Sequence, residues 1–253
     1  MMKKILLTLL GIFIFLTGSL QLTAVSDDLM DILRKSDKQV SSFLPAKFRQ
    51  RFDDYENNQL KRYGLFDVYV KGDERVLLVG IEPALMKGIA IMRTGDQIFS
   101  YLKKVDMLQQ ISAKASFGNS VLSSEDIVGG RLEKYYKADS LATVQDNGKD
   151  FIVLTVVAKS KDVAYKKIES YLEPGTYAPV KRRYYAFSGK QIKEMTFEEI
   201  GFKDGKQSLL KITMYDSLRE GWYTKVTQYD FDYSQEVPDK MFTRMYLRMA
   251  VKK

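Results

Sequence analysis

The feature that most constrains this chain is a series of hairpin turns in its second half. Segments rich in β-branched and aromatic residues alternate there with turns at intervals of roughly 10 to 16 residues. The turns include Asn147-Gly148, Pro174-Gly175, Ser188-Gly189 and Asp204-Gly205. Turns this short join antiparallel neighbours, whereas parallel strands need a long crossover connection. The sequence therefore predicts an antiparallel meander and argues against a βαβ fold.

Helical patterns flank the predicted strands. Apolar residues recur on one helical face from Asp27 to about Phe43, and Pro45 follows, so we predict an amphipathic helix there. Helical spacing returns between Asp239 and Ala250. No Pro-rich or Ser-rich linker follows residue 50, so residues 27–253 are predicted to form a single domain.

The N-terminus has the design of a secretory signal peptide. Lys3 and Lys4 precede an apolar run from Ile5 to Leu16, and Ala24-Val25-Ser26 offers a cleavage site. We predict that residues 1–26 direct export. The alternative is an uncleaved segment that anchors the protein to the membrane across which it is exported.

Two absences exclude whole classes of chemistry. The chain has no His and no Cys, which excludes a Ser-His-Asp triad, a Cys nucleophile and thiolate or imidazole zinc sites. Walker, dinucleotide-binding and nucleophile-elbow motifs are also missing, and the acidic pairs are adjacent residues whose side chains diverge. We predict no catalytic residue, no metal site and no cofactor. A hydrolase that uses scattered carboxylates stays a remote alternative.

The charge balance is basic. The formal charge is +8, and without residues 1–26, which carry two lysines and no acid, it is +6. An exported basic protein is better suited to transient contact with an anionic membrane surface than to nucleic acid. The alternative is that the charge serves only solubility.

Several predicted strands lack the alternation of apolar and polar residues that is typical of a sheet with one solvent-exposed face. Residues 76–79 (VLLV) are apolar on both faces, and the chain has 16 Tyr, 14 Phe and 11 Met. Such side chains on a curved sheet suit a cavity for an apolar ligand, although an ordinary core uses the same residues.

Three blocks together resemble the outer-membrane lipoprotein-sorting family of LolA/LolB-like proteins. The first is EPALMKGIAIM at 82–92, followed by GDQIFSYL at 95–102. The second is FGNSVLSSEDI at 117–127, which resembles a loop with a short helix at the mouth of the fold. The third is the hairpin YAPVKRRYYAFSGK at 177–190. The order and spacing of the blocks carry the resemblance, which extends over residues 27–250.

This resemblance implies a mainly β (α+β) fold: a curved, incomplete antiparallel barrel of about 10–11 strands with helices over its open side. It also implies a periplasmic carrier that shelters acyl chains of lipoproteins or other lipids, with the helix Asp27 to Phe43 in its lid. Relatives in one branch accompany RND/MMPL-type exporters. An accessory role beside such an inner-membrane transporter is therefore the alternative function.

Candidate site residues follow from these expectations. The predicted cavity wall consists of apolar residues within the candidate strands: Val68, Leu78, Ile91, Phe99, Leu210, Ile212 and Trp222. The basic stripe Lys181, Arg182 and Arg183 is the predicted docking or head-group surface. An error of one residue in strand parity would move any of these side chains to the other face.

Overall fold

The computed structural model of the chain describes residues 20–40 and 44–251. Thirteen strands in these residues form one sheet. The strands are β1 (Ala46–Glu56), β2 (Gln59–Lys71), β3 (Arg75–Glu82), β4 (Ile89–Thr94), β5 (Gln97–Leu102), β6 (Met107–Ile111), β7 (Tyr136–Asp146), β8 (Lys149–Ala158), β9 (Lys167–Leu172), β10 (Pro179–Tyr185), β11 (Gln191–Lys203), β12 (Lys206–Asp216) and β13 (Trp222–Asp232). The helices are α1 (Leu20–Val40), α2 (Ser124–Val128), α3 (Leu132–Tyr135) and α4 (Arg244–Ala250), and 3-10 turns occupy Met86–Gly88, Lys103–Val105 and Asp239–Phe242.

The sheet consists of two antiparallel meanders joined along one seam. Its order is β6-β5-β4-β3-β2-β1-β13-β12-β11-β10-β9-β8-β7, so β1 pairs with β13 and the strands at the two edges are β6 and β7. The predicted mainly β, antiparallel fold is confirmed, with thirteen strands where about 10–11 were expected. The sequence pattern did not indicate strand β1. Its buried positions include the polar residues Gln50 and Asp54, so apolar and polar residues do not alternate clearly along it.

One face of the sheet is concave and apolar. A single cluster of buried side chains includes Ile98 of β5 and Tyr136 of β7, which belong to opposite ends of the sheet, so the sheet curves around a common interior. Helix α1 contributes Leu29 and Leu33 to this cluster. The connection between β6 and β7, residues 112–135, contributes four more: Val121, Leu122, Ile127 and Val128. We call α1 and residues 112–135 together the cover.

The convex face is also covered around β3 to β5, with Tyr69 of β2 and Leu108 of β6 at the margins. The turn Asp239–Phe242 and α4 pack there against a second apolar cluster that includes Leu77, Met92 and Phe99. This packing explains why residues 76–79 are apolar on both faces. The helical spacing predicted between Asp239 and Ala250 is confirmed.

The N-terminal predictions are only partly within the described residues. The predicted helix from Asp27 to Phe43 is confirmed up to Val40, but it begins earlier, at Leu20, and residues 41–43 lie outside the described part. The predicted signal peptide, residues 1–26, lies mostly outside it as well and stays a prediction. Within residues 20–40 and 44–251, no helix combines the length and hydropathy that a membrane crossing requires.

We expect Leu247→Ala to lower the free energy of unfolding by about 2–5 kcal/mol, because the fully buried side chain packs α4 on the convex face. Met249→Ala is the matched control on the same helix, since 53% of that residue is exposed, and it should change stability by less than about 0.5 kcal/mol. Urea unfolding of both variants measures this difference. Equal losses would contradict the convex packing.

Candidate functional site

A cavity of about 250 Å³ lies between the concave face and the cover. Its wall is mostly aliphatic and aromatic, and it receives side chains from strands on both sides of the seam between β1 and β13. Apolar lining residues include Val40 of α1, Phe48, Val68, Val70, Val76, Ile127, Leu132, Ile168, Met195, Phe197, Leu209, Ile212 and Val226. The sheet supplies the curvature, and the cover closes the space above it.

Polar contacts hold α1 in place over the cavity. Asp37 accepts a hydrogen bond from the backbone N–H of Leu132 at 2.8 Å, which ties α1 to the first turn of α3. Its other oxygen lies 3.7 Å from the guanidinium of Arg182 on β10. Burial raises the pKa of Asp37 to about 6, against the opposing effect of Arg182. At the surface, Arg34 and Glu133 pair at 2.7 Å between the same two helices.

A second group of contacts holds α2. Ser123 and Asp126 form a capping box at the start of this helix, as the short helical turn in the sequence suggests. The Asp126 carboxylate also accepts from Tyr165 Oη at 2.6 Å and from Lys193 Nζ at 2.9 Å. Burial raises the pKa of Tyr165 well above its usual range. Asp126 therefore joins the cover to the sheet through β11 and the loop before β9.

A third group pins the start of the cover to the seam. Asp54 of β1 lies opposite Arg62 on β2 and Thr224 on β13. Its carboxylate accepts from Arg62 Nη2 at 2.6 Å and from Ser120 Oγ of the cover at 2.7 Å. Arg62 also donates to the carbonyl oxygen of Phe117 at 3.1 Å. These contacts place residues 117–120 over the joint between the two meanders.

Arg93 of β4 holds the middle of the cover. It points into the cavity and donates to the carbonyl oxygens of Gly129 and Gly95. Gly130 has a φ of +138°, and a Cβ atom at this position would collide with the Arg93 guanidinium. The paired glycines thus let the guanidinium reach the backbone just after α2.

The structure separates the seven predicted wall residues. Val68 and Ile212 line the cavity. Leu78 and Ile91 lie in the same concave cluster but outside the lining, and Trp222 packs at the edge of that cluster.

Two of the seven do not face the cavity, which corrects the prediction. Phe99 lies on the convex face under the C-terminal helices, because β5 directs Ile98 inward and Phe99 outward. Leu210 covers Gly201 of the neighbouring strand, while the adjacent Leu209 lines the cavity.

The basic stripe is divided between the two faces, so it is not one surface. Arg182 points into the cavity and is only 8% exposed. Lys181 and Arg183 lie on the other face, where they pair with Asp146 at 2.7 Å and Glu194 at 2.9 Å. Strand parity alone could have indicated this division, since Lys181 and Arg183 share one face and Arg182 takes the other.

The buried carboxylates have partners that explain them structurally. Glu125 accepts from the backbone N–H of Ala164 at 2.6 Å, and burial raises its pKa. Asp37 and Asp126 hold the cover as described. Among the described residues, no group of three or more acidic side chains is arranged to bind a metal ion.

Solved structures with a similar fold come from several bacteria. A LolA superfamily protein from Nitrosomonas europaea superposes with a TM-score of 0.78 at 22% identity, covering 86% of this chain and 98% of that one. A domain described as an outer membrane lipoprotein-sorting protein from Vibrio parahaemolyticus gives 0.76 at 19% identity, covering 88% and 99%. A DUF1329 family protein from Desulfovibrio piger gives 0.77 at 21% identity, covering 88% and 98%. The fold is therefore LolA-like.

Sequence comparisons add a family. No curated protein matches this sequence. A family model described as "Uncharacterized protein" matches residues 72–249, which is more than half of the chain. The chain therefore belongs to that family.

Proposed function

We propose that this protein is a non-enzymatic carrier that holds acyl chains between the concave face of the sheet and the cover. The observation that carries the proposal is the cavity itself, which has a mostly apolar wall and lies beneath the cover. Its LolA-like relatives, one of them described as a lipoprotein-sorting domain, support lipids or lipoproteins as the cargo class.

Energetics favour this function for such a cavity. Each CH₂ group transferred from water to an apolar wall contributes about 0.8 kcal/mol. A carrier needs only this gain and a way to release its cargo at a membrane, so it requires no catalytic group. The buried carboxylates Asp37, Glu125 and Asp126 hold structural contacts, which argues against the hydrolase alternative.

The size of the cavity limits what it can hold with the cover in this position. Its volume of about 250 Å³ is below the range of about 300–1,000 Å³ that is usual for drug-sized ligands. One acyl chain is a plausible occupant of the closed form, whereas the several chains of a lipoprotein anchor need more room. We infer that larger cargo displaces α1, residues 112–135 or both.

Location and partners follow from the same proposal. Export to the periplasm, directed by residues 1–26, would place the carrier between two membranes, which are its natural donor and acceptor. The accessory role beside an RND/MMPL-type exporter rests on the resemblance alone. The outward Lys181 and Arg183, part of its predicted docking surface, are already paired with acids.

We expect Leu209→Trp to weaken binding of a fluorescent fatty acid at least about tenfold. The indole would fill space in the cavity, and excluding two CH₂ groups of the ligand costs about 1.6 kcal/mol. Fluorescence titration of the purified protein measures the affinity.

Leu210→Trp is the matched control for this experiment. The two leucines are adjacent on β12 and both are partly exposed, but Leu210 faces Gly201 and not the cavity. It should leave the affinity unchanged. Equal effects of both substitutions, or no uptake by the unsubstituted protein, would contradict the proposed site.

Hydrogen exchange should report the movement of the cover. A peptide with three acyl chains is expected to speed exchange of amides in α1 and residues 112–135, because it needs more space than the closed cavity holds. Amides of β3 to β5 serve as the internal control, since the C-terminal helices pack on their convex face. Binding with unchanged exchange throughout the cover would refute the idea that it opens.

A further inference from the structure

Arg182 is a buried cation with unused hydrogen-bonding capacity. Its side chain is 9% exposed and lines the cavity. No described residue accepts a hydrogen bond from its Nε or Nη2, and Asp37 lies 3.7 Å from Nη2, beyond hydrogen-bond distance. These two nitrogens form the edge of the guanidinium that binds a carboxylate through two parallel hydrogen bonds. The guanidinium also lies over the Phe197 ring at 5.1 Å, which limits the directions its edge can take.

A buried hydroxyl beside Arg182 is also without a described partner. Ser170 on β9 lies directly opposite Arg182 in the strand register, and its Oγ has no described hydrogen-bond partner. Interiors of folded proteins leave few buried polar atoms unpaired, so the free edge of Arg182 and the Ser170 hydroxyl together indicate an additional partner.

The other cations at the cavity are already occupied. Arg93 donates to the backbone of Gly129 and Gly95. Arg131 pairs with Asp73 and Glu133. Lys193 of β11 is bound to Asp126, which itself lines the cavity. Arg182 is thus the cation at this cavity whose free donors could meet a ligand. An anion with several acceptor oxygens would satisfy the guanidinium edge and the Ser170 hydroxyl together.

We propose that Arg182, with Ser170 beside it, binds the anionic head of an amphiphile whose chain occupies the apolar part of the cavity. A fatty-acid carboxylate matches the flat guanidinium edge, and the phosphate of a single-chain phospholipid offers the same acceptor chemistry. This inference rests on the proposed carrier function and names its preferred cargo as single-chain anionic lipids. Asp37 stands beside the site and, as a carboxylate, opposes the bound anion.

The test compares palmitate, methyl palmitate and lysophosphatidate as displacers of a fluorescent fatty acid from the purified protein. We expect the unsubstituted protein to bind palmitate or lysophosphatidate at least about tenfold more tightly than the uncharged ester. Tighter binding of lysophosphatidate than of palmitate would assign a phosphate head, and the reverse would assign a carboxylate. In Arg182→Gln the preference for the anion should disappear while the affinity for the ester is kept.

Arg183→Gln is the matched control, because the Arg183 side chain pairs with Glu194 on the other face of the sheet. This variant should keep the preference for the anionic lipid over the ester. Asp37→Asn should increase the preference for the anionic lipid, since the substitution removes the negative charge beside Arg182. If Arg182→Gln does not fold, Ser170→Ala, which leaves the arginine in place, should reduce the preference severalfold.

The outcomes separate the two proposals. Equal binding of palmitate and its ester by the unsubstituted protein would overturn the head-group site and leave the carrier function standing. Failure of all three lipids to displace the probe, with no uptake of the probe either, would overturn the carrier function itself.

Discussion

An apolar concave face that the sheet cannot cover by itself is the constraint on which the rest of this structure depends. The two meanders pair through β1 and β13, but the strands at the far edges, β6 and β7, do not meet. A closed barrel would fill its interior with its own side chains, whereas an open curved sheet exposes its apolar side. Helix α1 and residues 112–135 therefore bury that side, and the space left between sheet and cover is the cavity.

The cover is held by buried polar groups at a few points. Asp54 pins its start to the seam, Asp126 fixes α2, and Asp37 ties α1 to α3. Buried charged pairs specify one arrangement but add little net stability over apolar packing, because desolvation offsets their attraction. These contacts give the cover a defined closed position, in which it also buries apolar side chains such as Leu33 and Leu122.

The sequence predicted much of the fold and less of the site. Hairpin turns indicated the antiparallel meander. The apolar run at 76–79 was interpreted as suited to an apolar ligand cavity, whereas its two faces are buried in the concave and convex clusters. The strand β1 escaped notice, because its inward Gln50 and Asp54 belong to polar contacts that only the folded sheet assembles. Phe99 was assigned to the wrong face, since its apolar character fits the convex cluster as well as the cavity. The inward direction of Arg182 follows from parity, but the absence of a hydrogen-bond acceptor for its Nε and Nη2 depends on where α1 places Asp37.

Native mass spectrometry of the protein purified without detergent, followed by extraction and identification of bound lipid, tests the central claim most directly. The account predicts a fraction of the protein carrying about one single-chain lipid, with that mass absent from a variant whose cavity is filled at Leu209. A protein that shows only its own mass, even after incubation with lipid vesicles, would contradict the carrier function. The concave face would then be an ordinary core closed by its cover.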